Sequence, residues 1–100
     1  MARIELAEEV GEDIERILAH CAEQGVQDAG PRLHAIVAAL DVLAHSPMIG
    51  RRLRAGSDLR ELVIGSGTRG YMALYRWVEA LDTLVVLAIR SQREAGYAHD

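Results

Sequence analysis

Eleven arginines and no lysine carry the fixed positive charge of this 100-residue chain, and four of them, Arg51, Arg52, Arg54 and Arg60, fall within ten residues. A guanidinium presents a rigid fork of donors that clamps phosphate or carboxylate through paired hydrogen bonds, so this stretch has the chemistry to meet nucleic acid or an acidic partner. From Met1 to His45 nine acids outweigh three arginines, giving −6; from Ser46 onward eight arginines face six acids, giving +2. The net charge of −4 makes the whole chain a poor general binder of nucleic acid, and no direct sequence-specific DNA binding is expected.

Other reactive groups lack a supporting context. Gly65 to Gly70 spells G-x-G-x-x-G, but a dinucleotide site needs a helix next so that its amino terminus faces the pyrophosphate. Tyr71-Met72-Ala73-Leu74-Tyr75 reads instead as a strand, so these glycines are hairpin chemistry and no cofactor is called for. His20, His34, His45 and His99 form no pair at metal-ligand spacing on a shared face, and Cys21 beside His20 points elsewhere on a helix, so no metal site is supported. Ser46, Ser57, Ser66 and Ser91 have no nucleophile-elbow setting. A single cysteine cannot form an internal disulfide and is expected in the core.

The length fits one domain spanning 1–100, with half the residues apolar and a quarter charged. No apolar run approaches the roughly 20 residues of a membrane helix, and Met1-Ala2-Arg3-Ile4-Glu5 lacks the core of a secretory signal; a cytoplasmic protein without membrane contact is expected. Ala2 to Leu6 alternates as a half-buried strand. From Ala7 the period becomes helical, with Val10, Ile14, Ile17, Leu18 and Cys21 on one side and acids crowding the first turns, where the helix dipole favours them. Gly25 ends that helix. A second helix runs from about Gln27 to His45 with an apolar stripe of Leu33, Ile36, Val37, Leu40, Leu43 and Ala44, and Ser46-Pro47 stops it. After the arginine-rich connection come three β-rich runs, Leu59 to Ile64, Tyr71 to Val78 and Thr83 to Ile89, which read as an antiparallel meander. The order β-α-α-β-β-β gives an α+β fold, an antiparallel sheet with an αα-hairpin packed on one face.

These strands are apolar on both faces. One face is expected to carry Leu62, Ile64, Tyr71, Ala73, Tyr75, Trp77, Leu84, Val86 and Ala88, and the other Val63, Met72, Leu74, Val85, Leu87 and Ile89, with only Glu61 and Arg76 for polarity. Antiparallel sheets with one wet face alternate visibly, and these do not. One helical hairpin covers one face, which leaves the second for a partner, for the carboxy-terminal tail or for a second copy.

The stretches Ser46-Pro47-Met48-Ile49-Gly50-Arg51, Leu59-Arg60-Glu61-Leu62-Val63-Ile64, Gly70-Tyr71-Met72-Ala73-Leu74-Tyr75-Arg76 and Leu87 through Tyr97, in this order of elements, resemble the ParE/RelE toxin superfamily, most strongly its plasmid-stabilisation, ParE-like branch. The resemblance implies the toxin half of a type II toxin–antitoxin operon, held inactive by an antitoxin whose carboxy-terminal segment wraps it. Such a partner would lie across Val63, Met72, Leu74, Val85, Leu87 and Ile89, with its acids meeting Arg76, as an apolar segment in a groove or a strand added to the meander edge.

Two activities occur in the superfamily. RelE-like members cut mRNA on the ribosome using basic side chains on the open sheet face, an arginine after the Gly-Tyr pair, and an arginine and a tyrosine near the carboxy terminus. Here Glu61, Val63 and Met72 stand where three of those basic groups belong, which removes the donors that phosphate chemistry needs. Arg93 and Tyr97 survive and would be the catalytic pair of a ribonuclease. ParE-like members resemble poisons of DNA gyrase and do no chemistry themselves, and that reading is preferred here. The target contacts would then be Arg51, Arg52, Arg54, Arg90 and Arg93, taken as exposed, with Tyr97 beside them. A non-toxic binding module that kept the fold is the third possibility.

Overall fold

The computed structural model describes residues 1–25, 29–65, 70–94 and 96–97. Its elements are β1 (Arg3–Leu6), α1 (Glu8–Glu23), α2 (Ala29–His45), β2 (Arg51–Arg52), β3 (Leu59–Ile64), β4 (Tyr71–Val78) and β5 (Thr83–Ser91), with a short 3-10 turn at Glu79–Leu81 between the last two strands. The five strands form one sheet in the order β1-β5-β4-β3-β2. The meander β3-β4-β5 is antiparallel as its turn chemistry requires. Two edge strands complete it: β1 returns parallel beside β5, making the sheet mixed, and β2, two residues out of the arginine-rich connection, pairs antiparallel with β3.

The helix α1 begins with Glu8 and Glu9 in its first turn and buries Val10, Asp13, Ile17 and Cys21, one stripe at helical spacing. Gly25, at φ +66°, takes the left-handed conformation that ends it. In α2 the buried residues are Ile36, Leu43 and Ala44, while Val37, expected in the same stripe, is 54% exposed. Val10, Ile17, Ile36, Leu43, Ile64, Tyr71, Ala73, Tyr75, Leu84, Val86 and Ile89 form the core between the helices and one face of the sheet.

The division of β5 between faces departs from strict alternation. Leu74 pairs with Ala88 but Tyr75 pairs with Val86, so Leu87 is an extra residue in a bulge. An inserted residue reverses the parity of every side chain after it. Ala88 therefore joins Leu74 on the face away from the helices, and Ile89 joins Ala73 on the core side, where it is fully buried. Ile89 thus leaves the set expected to meet a partner. The sharp reversal into β5 is made by Asp82 at φ +48°, a conformation aspartate tolerates better than most residues.

The β4 strand follows Gly70 directly, so the glycine-rich segment leads into a strand, as a hairpin does; its residues 66–69 lie outside the described residues.

Candidate functional site

The face of the sheet turned away from α1 and α2 carries Glu61 and Val63 on β3, Met72, Leu74 and Arg76 on β4, and Val85, Leu87, Ala88 and Arg90 on β5. Val63 is 55% exposed; Met72, Leu74, Val85 and Leu87 are half-buried. It is an apolar surface with a carboxylate set into it. Glu61 keeps only 8% of its surface, and its two oxygens are used: Tyr97 donates its hydroxyl to Oε2 at 2.7 Å, and the Arg51 guanidinium reaches Oε1 at 3.4 Å from β2. The tail after β5 thus folds back across three strands to lay Tyr97 on the open face.

Arg90, expected to be exposed, lies half-buried beneath that tail. It donates to the Glu94 carbonyl at 3.0 Å and the Ser91 carbonyl at 3.3 Å, its Nη2 lies 3.0 Å from the Met72 sulfur, and its guanidinium carbon sits 5.3 Å from the centre of the Tyr97 ring, a cation–π distance. Burial, the hydrogen bond to Glu61 and the charge of Glu61 together push the Tyr97 phenol well above its ordinary value, with Arg90 opposing. The neutral phenol is the donor in its hydrogen bond to Glu61.

The remaining candidate residues fall into separate places. Arg51 and Arg52 stand on β2 and Arg54 on the loop after it, all exposed. Arg76 pairs at 3.0 Å with Asp58, both side chains well exposed, an ion pair of small energetic weight. Arg93 lines a cleft of about 580 Å³ with Ile17, His20, Cys21, Gln24 and Arg32, against the α1 side of the molecule. Arg51, Tyr97 and Arg90 come together around Glu61, whereas Arg52 stands on the edge strand β2, Arg54 follows it and Arg93 lines the α1-side cleft, so the six expected target contacts do not form one cluster. In particular Arg93 and Tyr97, the pair a ribonuclease would need, serve different surroundings.

Two features escaped the sequence reading. An apolar groove lies between α2 and the end of β3, lined by Ala35, Ala38, Ala39, Val42, Leu62 and Val63. Its signal was legible: Ala35, Ala38, Ala39 and Val42 fall at i, i+3, i+4 and i+7, a second stripe on α2 made of residues too small to stand out beside the leucines. Since β2 pairs only with Arg60 and Glu61, no described strand occupies the edge of β3 beside Leu62–Ile64. The second feature is the Pro47–Gly50 turn, whose backbone is held by Tyr75 and Arg60 from beneath.

Among the described residues no group of three or more His, Cys, Asp or Glu side chains gathers as a metal site, and no helix is long and apolar enough to cross a membrane.

Solved structures of similar shape include toxins and toxin–antitoxin complexes. The toxin fold of the intact E. coli RelBE toxin–antitoxin complex aligns with a TM-score of 0.63 at 16% identity, covering 94% of this chain and 100% of that one. The isolated E. coli RelE toxin gives 0.64 at 14% identity over 95% of this chain and 88% of that one. The RelBE2 toxin–antitoxin complex from Mycobacterium tuberculosis gives 0.57 at 18% identity over 91% and 98%. Likeness at these identities is a likeness of fold. No curated protein sequence matches the chain. The sequence profile of the ParE toxin of the type II toxin–antitoxin system parDE matches residues 4–96, nearly the whole of the described structure, and the chain belongs to that toxin family, within the wider ParE/RelE fold.

Proposed function

We propose that this toxin acts by binding, as a ParE-like inhibitor of DNA gyrase, and that a cognate antitoxin neutralises it by covering the open sheet face. The observation that carries this reading is the Glu61 carboxylate on the β3 part of that face, buried and hydrogen-bonded to Tyr97. Cleaving RNA requires donors preorganised around a phosphate whose charge grows in the transition state, and removing one such donor costs orders of magnitude in rate. A carboxylate among Met72, Leu74 and Val63 repels that charge instead. Arg90 is engaged by the tail, Arg93 lines another cleft, and the Tyr97 hydroxyl is spent on Glu61, so Arg93 and Tyr97 do not stand together as a catalytic pair.

The antitoxin reading rests on apolar area. Val63, Met72, Leu74, Val85 and Leu87 make one surface, and Val63 continues it around the unpaired edge of β3 into the α2 groove. An extended segment could add a strand to that edge and place alternate side chains in the groove.

The test is induction in bacterial cells together with a supercoiling assay on purified gyrase. Gyrase poisoning gives filamentation, a DNA-damage response, intact transcripts and loss of supercoiling. Cleaved transcripts with unaffected supercoiling support the RelE-like ribonuclease instead, and normal growth at confirmed soluble expression removes both. A small acidic reading frame beside this gene, with a DNA-binding amino terminus, would supply the antitoxin.

A further inference from the structure

We infer that the turn Pro47–Gly50, together with the arginines that follow it, is a preformed docking knob that enters an apolar pocket rimmed by carboxylates on the target protein. The inference rests on the binding mode of action proposed above and names the surface that performs it.

The sequence from Ser46 to Ser57 contains no acid and three arginines, Arg51, Arg52 and Arg54. Among them stand Met48, 59% exposed, Ile49, 51% exposed, and Leu53, 42% exposed. Large apolar side chains on a surface loop are commonly tolerated because the loop moves and they find partial cover. Here the backbone is fixed from below. The Tyr75 side chain, fully buried, donates its hydroxyl to the Pro47 carbonyl at 2.7 Å and accepts the Gly50 N–H at 2.9 Å. Arg60 donates to the Met48 carbonyl at 3.1 Å and the Gly50 carbonyl at 2.8 Å, and the Ile49 N–H closes the turn on the Ser46 carbonyl at 3.2 Å. Gly50 is packed so closely that a Cβ there would lie 2.5 Å from the Tyr75 hydroxyl oxygen. With Tyr75 and Arg60 holding that backbone from beneath, Met48 and Ile49 stand exposed on a fixed turn.

A rigid apolar projection has already lost the freedom that binding would otherwise remove, and such preorganised groups carry a large share of interface energy. The partner's chemistry follows from the rim. Among the described residues the side chains of Arg52 and Arg54 make no ion pair or hydrogen bond, so they are available to carboxylates around an apolar pocket. Nucleic acid would use these arginines but leave Met48 and Ile49 in water, and the charge of −4 opposes it. A protein surface satisfies both halves of the patch.

The experiment uses the full chain with Met48→Ser and Ile49→Ser combined, and measures binding to purified DNA gyrase, to the purified antitoxin and to a DNA duplex, with the denaturation midpoint as control. The expected result is at least a tenfold loss of gyrase binding, antitoxin binding within about twofold, and an unchanged midpoint. Unchanged gyrase binding overturns the knob and leaves the mode of action standing. Equal loss of antitoxin binding assigns the surface to the antitoxin, and duplex binding insensitive to the two serines assigns the arginines to nucleic acid; either overturns the inference. If the unmodified protein binds no gyrase, the mode of action fails and the knob with it. Should the double variant not fold, Arg52→Ser with Arg54→Ser reads the rim alone, and unchanged gyrase binding there overturns the inference equally.

Discussion

The carboxylate of Asp13, on α1, accepts the backbone N–H of Ile89, on β5, at 2.9 Å. Asp13 is fully buried, and Arg16 one turn later completes the arrangement: it pairs with Asp13 Oδ1 at 2.6 Å, donates to the Ile89 carbonyl at 3.2 Å and reaches Glu94 in the tail at 2.9 Å. The parallel pairing of β1 with β5 stops at Leu6 and Val86. Past that point an acid and a base from α1 do for Ile89 what a neighbouring strand would do, accepting from its N–H and donating to its C=O. Burial disfavours the Arg16 charge, but the hydrogen bonds to Asp13 and Glu94 outweigh it and hold the guanidinium above its ordinary value.

Asp13→Ala should therefore destabilise the fold by about 3 kcal/mol, near the lower end for breaking a buried pair because Arg16 keeps Glu94 and partial access to water. Denaturant unfolding measures it. A loss below about 1 kcal/mol would mean that water replaces the carboxylate at the Ile89 amide.

The bulge at Leu87 sets opposite expectations for adjacent residues. Ile89→Ala should cost about 2–5 kcal/mol as a core deletion, and Leu87→Ala under about 1.5 kcal/mol. Leu74→Glu and Leu87→Glu should each weaken antitoxin binding far more than they lower the unfolding midpoint, whereas Ile89→Glu should prevent folding. A folded Ile89→Glu protein would place the bulge elsewhere.

How far the sequence carried is visible at these same residues. The two helices and the meander were legible because each has a clean period and a stop: Gly25 after α1, Ser46-Pro47 after α2, and hairpin residues between strands. The bulge was not, because Val85-Val86-Leu87-Ala88-Ile89 is apolar throughout and gives no marker of parity; a polar residue in that run would have shown the flip. The two-residue β2 is too short for any periodic signal. The covering of Arg90 and Glu61 by Tyr97 depends on a contact 36 residues apart in sequence, which no local pattern encodes. Composition alone left Glu61 as scattered polarity on an apolar face; packing made it the centre of the site.

The Tyr97 phenol gives a pH signature. Its folded pKa is raised above its unfolded value, so the stability it contributes is fully present below about pH 10 and is lost as pH rises beyond that, through the folded value. Burial raises Tyr75 in the same direction, so the protein should lose stability on the alkaline side through both. Tyr97→Phe should flatten part of that alkaline loss and should expose Arg90 without unfolding the core. An ultraviolet titration in which one tyrosine of the wild type ionises well above 10 and is missing from the variant checks it; a full set of ordinary phenols would show that the tail does not lie on Glu61.

The turn beneath the knob is open to a separate test of rigidity. Tyr75→Phe leaves the buried Gly50 N–H and the Pro47 carbonyl without their partner, a loss of about 1–3 kcal/mol, and Gly50→Ala should cost about as much by forcing a methyl against the Tyr75 ring 2.6 Å away. Both changes release the backbone that carries Arg51 and Arg52, two sites for trypsin. Limited proteolysis under native conditions should therefore cut Tyr75→Phe at these arginines several times faster than the wild type, with the global unfolding midpoint still well above the assay temperature. Equal rates would mean that the turn opens independently of Tyr75, and Met48 and Ile49 would then be mobile side chains on a mobile loop instead of a fixed projection.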